Sequence, residues 1–157
     1  MICFGIAAAG TIAFTLKAQQ PATPKAQSAS PPANLPEVWT SQATKHDFRV
    51  KVEKDLFTAE WINLPPEAAR QGAFIRTECR RSEKNWIGTS RVVLPCAAPG
   101  DAKGKATKAC PMTLRFELSS ISKDRIVGRS ESLRNFDCEK CQVRETGWGD
   151  FVWVPKK

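Results

Sequence analysis

One pattern recurs along this chain and narrows what it can fold into. A short polar turn with lysine before asparagine or aspartate is followed by a run in which apolar or small residues alternate with polar ones. Lys84-Asn85 leads into Trp86, Gly88 and Ser90, and Lys123-Asp124 leads into Ile126, Gly128 and Ser130, with the two glycines 40 positions apart. A looser copy, Lys54-Asp55, precedes Phe57, Ala59 and Trp61. A period of two marks a strand with one buried face, and a turn leading into such a run is the second half of a β-hairpin. The chain therefore reads as three successive hairpins.

The outgoing strands carry the same alternation. Phe48, Val50 and Val52 share one face, with Arg49, Lys51 and Glu53 on the other. Ile75, Thr77 and Cys79 stand opposite Arg76, Glu78 and Arg80, while Leu114, Phe116 and Leu118 stand opposite Arg115 and Glu117. A final strand falls at 151–154, and Val38-Trp39-Thr40 adds an eighth to the seven. Pro66 to Gln71, followed by Gly72, predicts one or two helical turns, with proline at the start and glycine past the end. No longer helical period is present. One face of each strand is apolar and the other is charged, so a single sheet must cover its own apolar face. The expected fold is all-β, an antiparallel meander of about seven to eight strands forming a small closed or flattened barrel. A two-sheet β-sandwich is the alternative. The small residues at Ala59, Gly88 and Gly128 favour curling, since glycine within a strand commonly marks a tight bend.

The ends are not part of that sheet. The first 18 residues hold a mostly apolar run from 2 to 16, closing on Leu16-Lys17-Ala18, which reads as a signal peptide cleaved after Ala18. The run is shorter than the roughly 20 apolar residues that span a bilayer, so a membrane contact would come only through an uncleaved N-terminus. Residues 19–37 hold prolines among Ala, Gln and Ser and read as a disordered linker, leaving 38–157 as one domain. The expected location is secreted or periplasmic.

The cysteines agree with export. Setting Cys3 aside leaves Cys79, Cys96, Cys110, Cys138 and Cys141. The meander places the turns near residues 55, 85 and 124 at one end of the sheet. The connections 62–73, 95–111 and 134–149 lie at the other. Cys96, Cys110, Cys138 and Cys141 gather at the connection end, while Cys79 faces inward as a spare, buried thiol. Two disulfides are the first reading, with Cys96–Cys110 and Cys138–Cys141 as the preferred pairing. The second is a zinc site built from the same four thiolates, and zinc is the one cofactor the sequence suggests. The third is a thiol–disulfide redox protein using Cys138 and Cys141.

Catalysis finds little support. His46 is the sole histidine and lies between Lys45 and Asp47, where an exposed surface side chain is expected. Ser90 and Ser130 face inward, but no second histidine exists to activate either. The carboxylates alternate along outward faces, where cross-strand ion pairs account for them. Trp61, Trp86 and Trp153 read as core, and Trp39 and Trp148 as residues near a mouth. The formal charge of +8 favours an anionic partner. The candidate patch is Arg80, Arg81, Lys103, Lys105, Lys108, Lys156 and Lys157, with an anionic cell-envelope polymer as the partner class. The lack of tyrosine and of RNA-binding aromatic motifs argues against nucleic acid. The expected role is that of a non-catalytic binding domain. The remaining alternative is a small-molecule carrier whose interior is lined by Gly88, Gly128, Ser90 and Ser130.

Overall fold

The computed structural model describes residues 32, 34–83, 85–97 and 106–157. The leader expected over 1–18 and most of the linker expected over 19–37 lie outside the described residues. So does the stretch 98–105, with Lys103 and Lys105.

Eight strands follow in chain order: β1 (Val38–Ser41), β2 (Asp47–Glu53), β3 (Leu56–Trp61), β4 (Phe74–Ser82), β5 (Asn85–Ala97), β6 (Ala106–Ile121), β7 (Ile126–Asp137) and β8 (Gln142–Pro155). Each pairs antiparallel with the next, and β8 pairs back onto β1, so the meander closes. A five-residue helix, α1 (Pro66–Arg70), sits between β3 and β4 and buries nothing. Pro66 occupies its first turn, and Gly72, at φ 76°, takes the left-handed turn that follows.

The inward positions are those the alternation marks. Phe48, Val50, Phe57, Ala59, Cys79, Trp86, Phe116, Leu118, Ile126 and Trp153 form one buried cluster. Gly88 and Gly128 face it at points where neighbouring backbone leaves no room. A Cβ on Gly88 would lie 1.9 Å from the Glu78 carbonyl oxygen, and one on Gly128 would lie 2.1 Å from that of Glu117. At each of these residues the adjacent strand's backbone passes too close for any side chain. One irregularity keeps β6 in phase: a bulge between Leu118 and Ser120 leaves Ser119 unpaired. Leu118 and Ile121 both pack on the core as a result, although three residues apart.

The pairing of β6 with β7 ends at Phe116↔Ser130. Beyond that point β5–β6 pairing runs on to Ala97↔Ala106, and β7–β8 pairing runs on to Asp137↔Gln142. The sheet thus divides into two hairpin arms at the connection end. Their facing sides form a second cluster, in which Val92, Met112 and Leu114 pack with Leu94, Leu133, Phe136 and Val143. Irregular pairing at Arg134–Asn135 puts Leu133 and Phe136 on the same side of their arm. Within the connections expected over 95–111 and 134–149, residues 95–97, 106–111, 134–137 and 142–149 are strand residues of these arms.

That difference corrects the disulfide pairing. Cys96 bonds to Cys138, and Cys110 bonds to Cys141. Cys96 lies opposite Lys108, and Cys110 opposite Leu94, so the two cysteines are diagonal neighbours on the inner side of one arm. Cys138 and Cys141 bracket the tip of the other arm. Each bond therefore crosses between arms, where the expected pairing would have closed each connection on itself.

The first strand also begins earlier in effect than its alternation suggests. Leu35 packs on the core, the Pro36 carbonyl accepts a 2.7 Å hydrogen bond from Trp39 Nε1, and the Glu37 carbonyl accepts one of 2.8 Å from the Val50 amide. The last residues of the expected linker are fastened to the domain.

Candidate functional site: an arginine face and an interior cavity

Register builds the outer surface. Across β2 to β5, one row reads Arg49↔Glu60↔Arg76↔Arg91. The adjoining row reads Lys51↔Thr58↔Glu78↔Thr89. Two shallow grooves of about 460 Å³ and 220 Å³ lie along these rows and share Glu60 and Arg76. Together they are lined by four cations, Arg49, Lys51, Arg76 and Arg91, against the two carboxylates of Glu60 and Glu78. Phe74, 38% exposed, supplies an aromatic face beside Arg91.

The salt bridges do not neutralise this face. Arg49 Nε reaches Glu37 at 3.1 Å and Arg76 Nε reaches Glu78 at 3.3 Å, both between exposed side chains. Among the described residues, no carboxylate comes within salt-bridge distance of Arg91. Like charges directly opposite each other on adjacent strands are destabilising.

Of the patch expected from sequence, Lys103 and Lys105 lie outside the described residues, and the described members stand apart. Arg80 and Arg81 end β4 beside the turn at Glu83, whereas Lys108 stands on the first arm opposite Cys96. From Trp86, the partner of Arg81, to Cys96 is about 33 Å of strand. Lys108 Nζ donates to the Glu139 carbonyl at 3.0 Å, linking the two arm tips. Lys156 Nζ donates to Asp47 Oδ2 at 2.6 Å. Asp47 is 5% exposed, and its Oδ1 accepts from the Thr40 hydroxyl at 2.6 Å. The Lys156 hydrogen bond, with that of Thr40, holds its carboxyl below the usual range. Lys157 is exposed at the C-terminus.

The interior is not fully packed. A half-open pocket of about 170 Å³ lies where the two core clusters meet. Its walls take Phe48, Phe116 and Trp153 from the first cluster and Val92 and Leu114 from the second. Ser90 and Ser130 line it, as expected for an interior site, but Gly88 and Gly128 do not. Ser90 Oγ and Thr77 Oγ1 share a hydrogen bond of 2.7 Å. His46 closes one side. It is half-buried, with its ring 4.1 Å from that of Trp61, and burial lowers its pKa. It is not the fully exposed side chain expected from its charged neighbours.

Glu131 stands at the point where β6 and β7 separate. Its carboxylate accepts from the Arg115 amide at 2.8 Å and from the Arg115 guanidinium at 2.7 Å, in place of the next ladder bond. The Thr146 hydroxyl adds a third bond at 3.3 Å. These hydrogen bonds pull its carboxyl down to about 2. On the outer surface nearby, Arg115 and Arg129 lie 5.1 Å and 4.8 Å from the Trp148 ring.

The tryptophans divide differently from the expectation. Trp39 is wholly buried, because β1 turns it inward and Pro36 satisfies its indole N–H. Trp61 is half-buried at the rim, with its indole donating to Asn63 Oδ1 at 2.6 Å. Trp148 belongs to the outer surface, and Trp86 and Trp153 are core. Among the described residues Cys79 is the free thiol and is buried; desolvation pushes it up to about 12, so it is held as the unreactive thiol.

All four clustered cysteines are consumed by the two cross-arm bonds. Cys138 and Cys141 are not bonded to each other, so the pair that a redox C-x-x-C needs is not formed. No thiolates remain among the four to bind zinc. Two disulfides fit an oxidising compartment. Searches of family models, curated proteins and solved structures found no match to this chain.

Proposed function

We propose that this chain is an exported, non-catalytic binding domain whose outer face on β2–β5 takes an anionic polymer of the cell envelope. The observation that carries the reading is the direct opposition of Arg76 and Arg91, with Arg49 and Lys51 beside them. A bound carboxylate or phosphate between the two guanidinium groups turns an unfavourable contact into a charge-assisted one. Strand geometry spaces the cations at regular intervals along two grooves, which suits an extended chain of repeated charges. Phe74 offers an apolar surface for the uncharged parts of such a chain. The two disulfides support the exported setting.

The test is binding of the full oxidised chain to a polycarboxylate such as polygalacturonate and to polyphosphate, across a salt series. Binding should weaken as salt rises. Arg76→Ser with Arg91→Ser should weaken it about tenfold, or ~1.4 kcal/mol, whereas Arg80→Ser with Arg81→Ser should leave it unchanged. Salt-insensitive binding, or equal loss from both variants, would sink the reading.

A further inference from the structure

The interior cavity calls for a different occupant from the outer face. Its volume, about 170 Å³, is close to that of the ~150 Å³ engineered cavity that accepts benzene. Aromatic side chains supply much of the wall: Phe48 and Trp153 stack at 4.3 Å and 6° between planes, and Phe116 and Phe151 lie 4.8 Å apart. The pocket is open to solvent on one side, and hydroxyl groups line it beside the aromatic rings.

Those hydroxyls have capacity to spare. Thr77 and Ser90 share one hydrogen bond, so one of their two protons and further lone pairs stay free. The Ser130 hydroxyl, two strands away from Ser90, lines the same pocket and has no hydrogen-bond partner among the described residues. His46, neutral because burial disfavours its charged form, offers one donor and one acceptor at the edge. No lysine or arginine lines the cavity, and its one carboxylate, Glu131, is already bound to Arg115. A charged ligand would be desolvated there without a counter-charge, which costs several kcal/mol.

We infer that the cavity between the barrel core and the two arms is a binding site for a small neutral molecule with one ring and at least one hydroxyl, of the phenol class. The ring packs among Phe48, Phe116 and Trp153, and the hydroxyl is met by Ser130 or by the Thr77–Ser90 pair. The division of the sheet creates the space. Where β6 and β7 part, neither cluster fills the gap between them. This site is independent of the arginine face.

Phenol and toluene, titrated into the full oxidised chain, separate the possibilities. Phenol should shift the Trp153 indole and His46 ring NMR signals saturably, and toluene should bind at least about fivefold more weakly, having no hydroxyl to pair. Ser130→Leu fills the cavity and should abolish phenol binding while keeping the midpoint of thermal unfolding. Ser130→Thr, a smaller change that serves where the leucine variant does not fold, should weaken phenol at least threefold. Arg76→Ser with Arg91→Ser should bind phenol normally, which keeps this outcome separate from that of the outer face. Absence of saturable shifts would mean a cavity holding water only, and toluene binding as tightly as phenol would refute the hydroxyl pairing. Undiminished phenol binding by the Ser130 variant would place the ligand elsewhere; each of these three results overturns the proposal.

Discussion

Glu131 shows how one side chain can end a ladder without leaving an orphan. Once β6 and β7 diverge, the Arg115 amide has no strand partner. The Glu131 carboxylate takes that amide and the guanidinium of the same residue together. Its folded-state pKa is near 2 against an ordinary 4.5. A depressed carboxylate stabilises the fold fully above its unfolded value and loses that contribution as pH falls through its folded one. Stability should therefore decline as pH drops from about 4.5 towards about 2. Asp47 and Asp137, both held below the usual range by hydrogen-bonded cations, act in the same direction. Glu131→Gln should flatten the decline, measured as the urea midpoint across that pH range. An unchanged slope would show that the other carboxylates set it. None of this was legible from sequence, where Glu131 is one outward carboxylate among many. Its role depends on where a neighbouring pair of strands stops.

The arms are the element that sequence reasoning missed. From sequence, residues 95–111 read as a connection at one end of the sheet. In the structure Pro95 pairs with Ala109 within β5–β6, and Pro111 pairs with Val93. Both prolines are tolerated because the strands continue as a two-stranded arm with a free edge, where a missing N–H breaks little. With the arms unseen, the cysteines gathered at the correct end but were matched to the wrong partners. In the chain-entropy account, a bond that closes the 42 residues between Cys96 and Cys138 stabilises by about 4 kcal/mol. The second bond adds less, because the first already restricts the same segment. Replacing Cys96 and Cys138 together by serine should lower unfolding stability by about 2–4 kcal/mol, read by denaturant titration. The loss should concentrate in the second core cluster, with the near-ultraviolet signal of the first retained to higher denaturant.

At the scale of the whole molecule, the alternation was enough to identify a closed antiparallel meander, because each strand names its own inner face. Register was not readable, and register is what sets Arg76 opposite Arg91. Closure itself rests on a short element. β1 makes three register pairs with β2 and three with β8. The hairpin β5–β6, by contrast, pairs from Trp86↔Leu118 to Ala97↔Ala106. Local opening starts where ordered backbone bonds are fewest. Amides of β1 should lose hydrogen-exchange protection before those of β5 and β6, and the full oxidised chain is the sample to measure. Slower exchange in β1 than in β5 would mean that buried Trp39 outweighs the shortness of its strand.

The cross-arm bonds also decide what a cut chain would do. A break anywhere in 98–105 separates two polypeptides, one ending with β5 and the other starting before β6. Cys96 stays with the first piece and Cys138 with the second, so the bond between them keeps the pieces as one covalent body. β6 remains held to β5 by backbone pairing and to the tip of the other arm by Cys110–Cys141. A chain cut there would remain a single covalent molecule for as long as the two bonds stay oxidised.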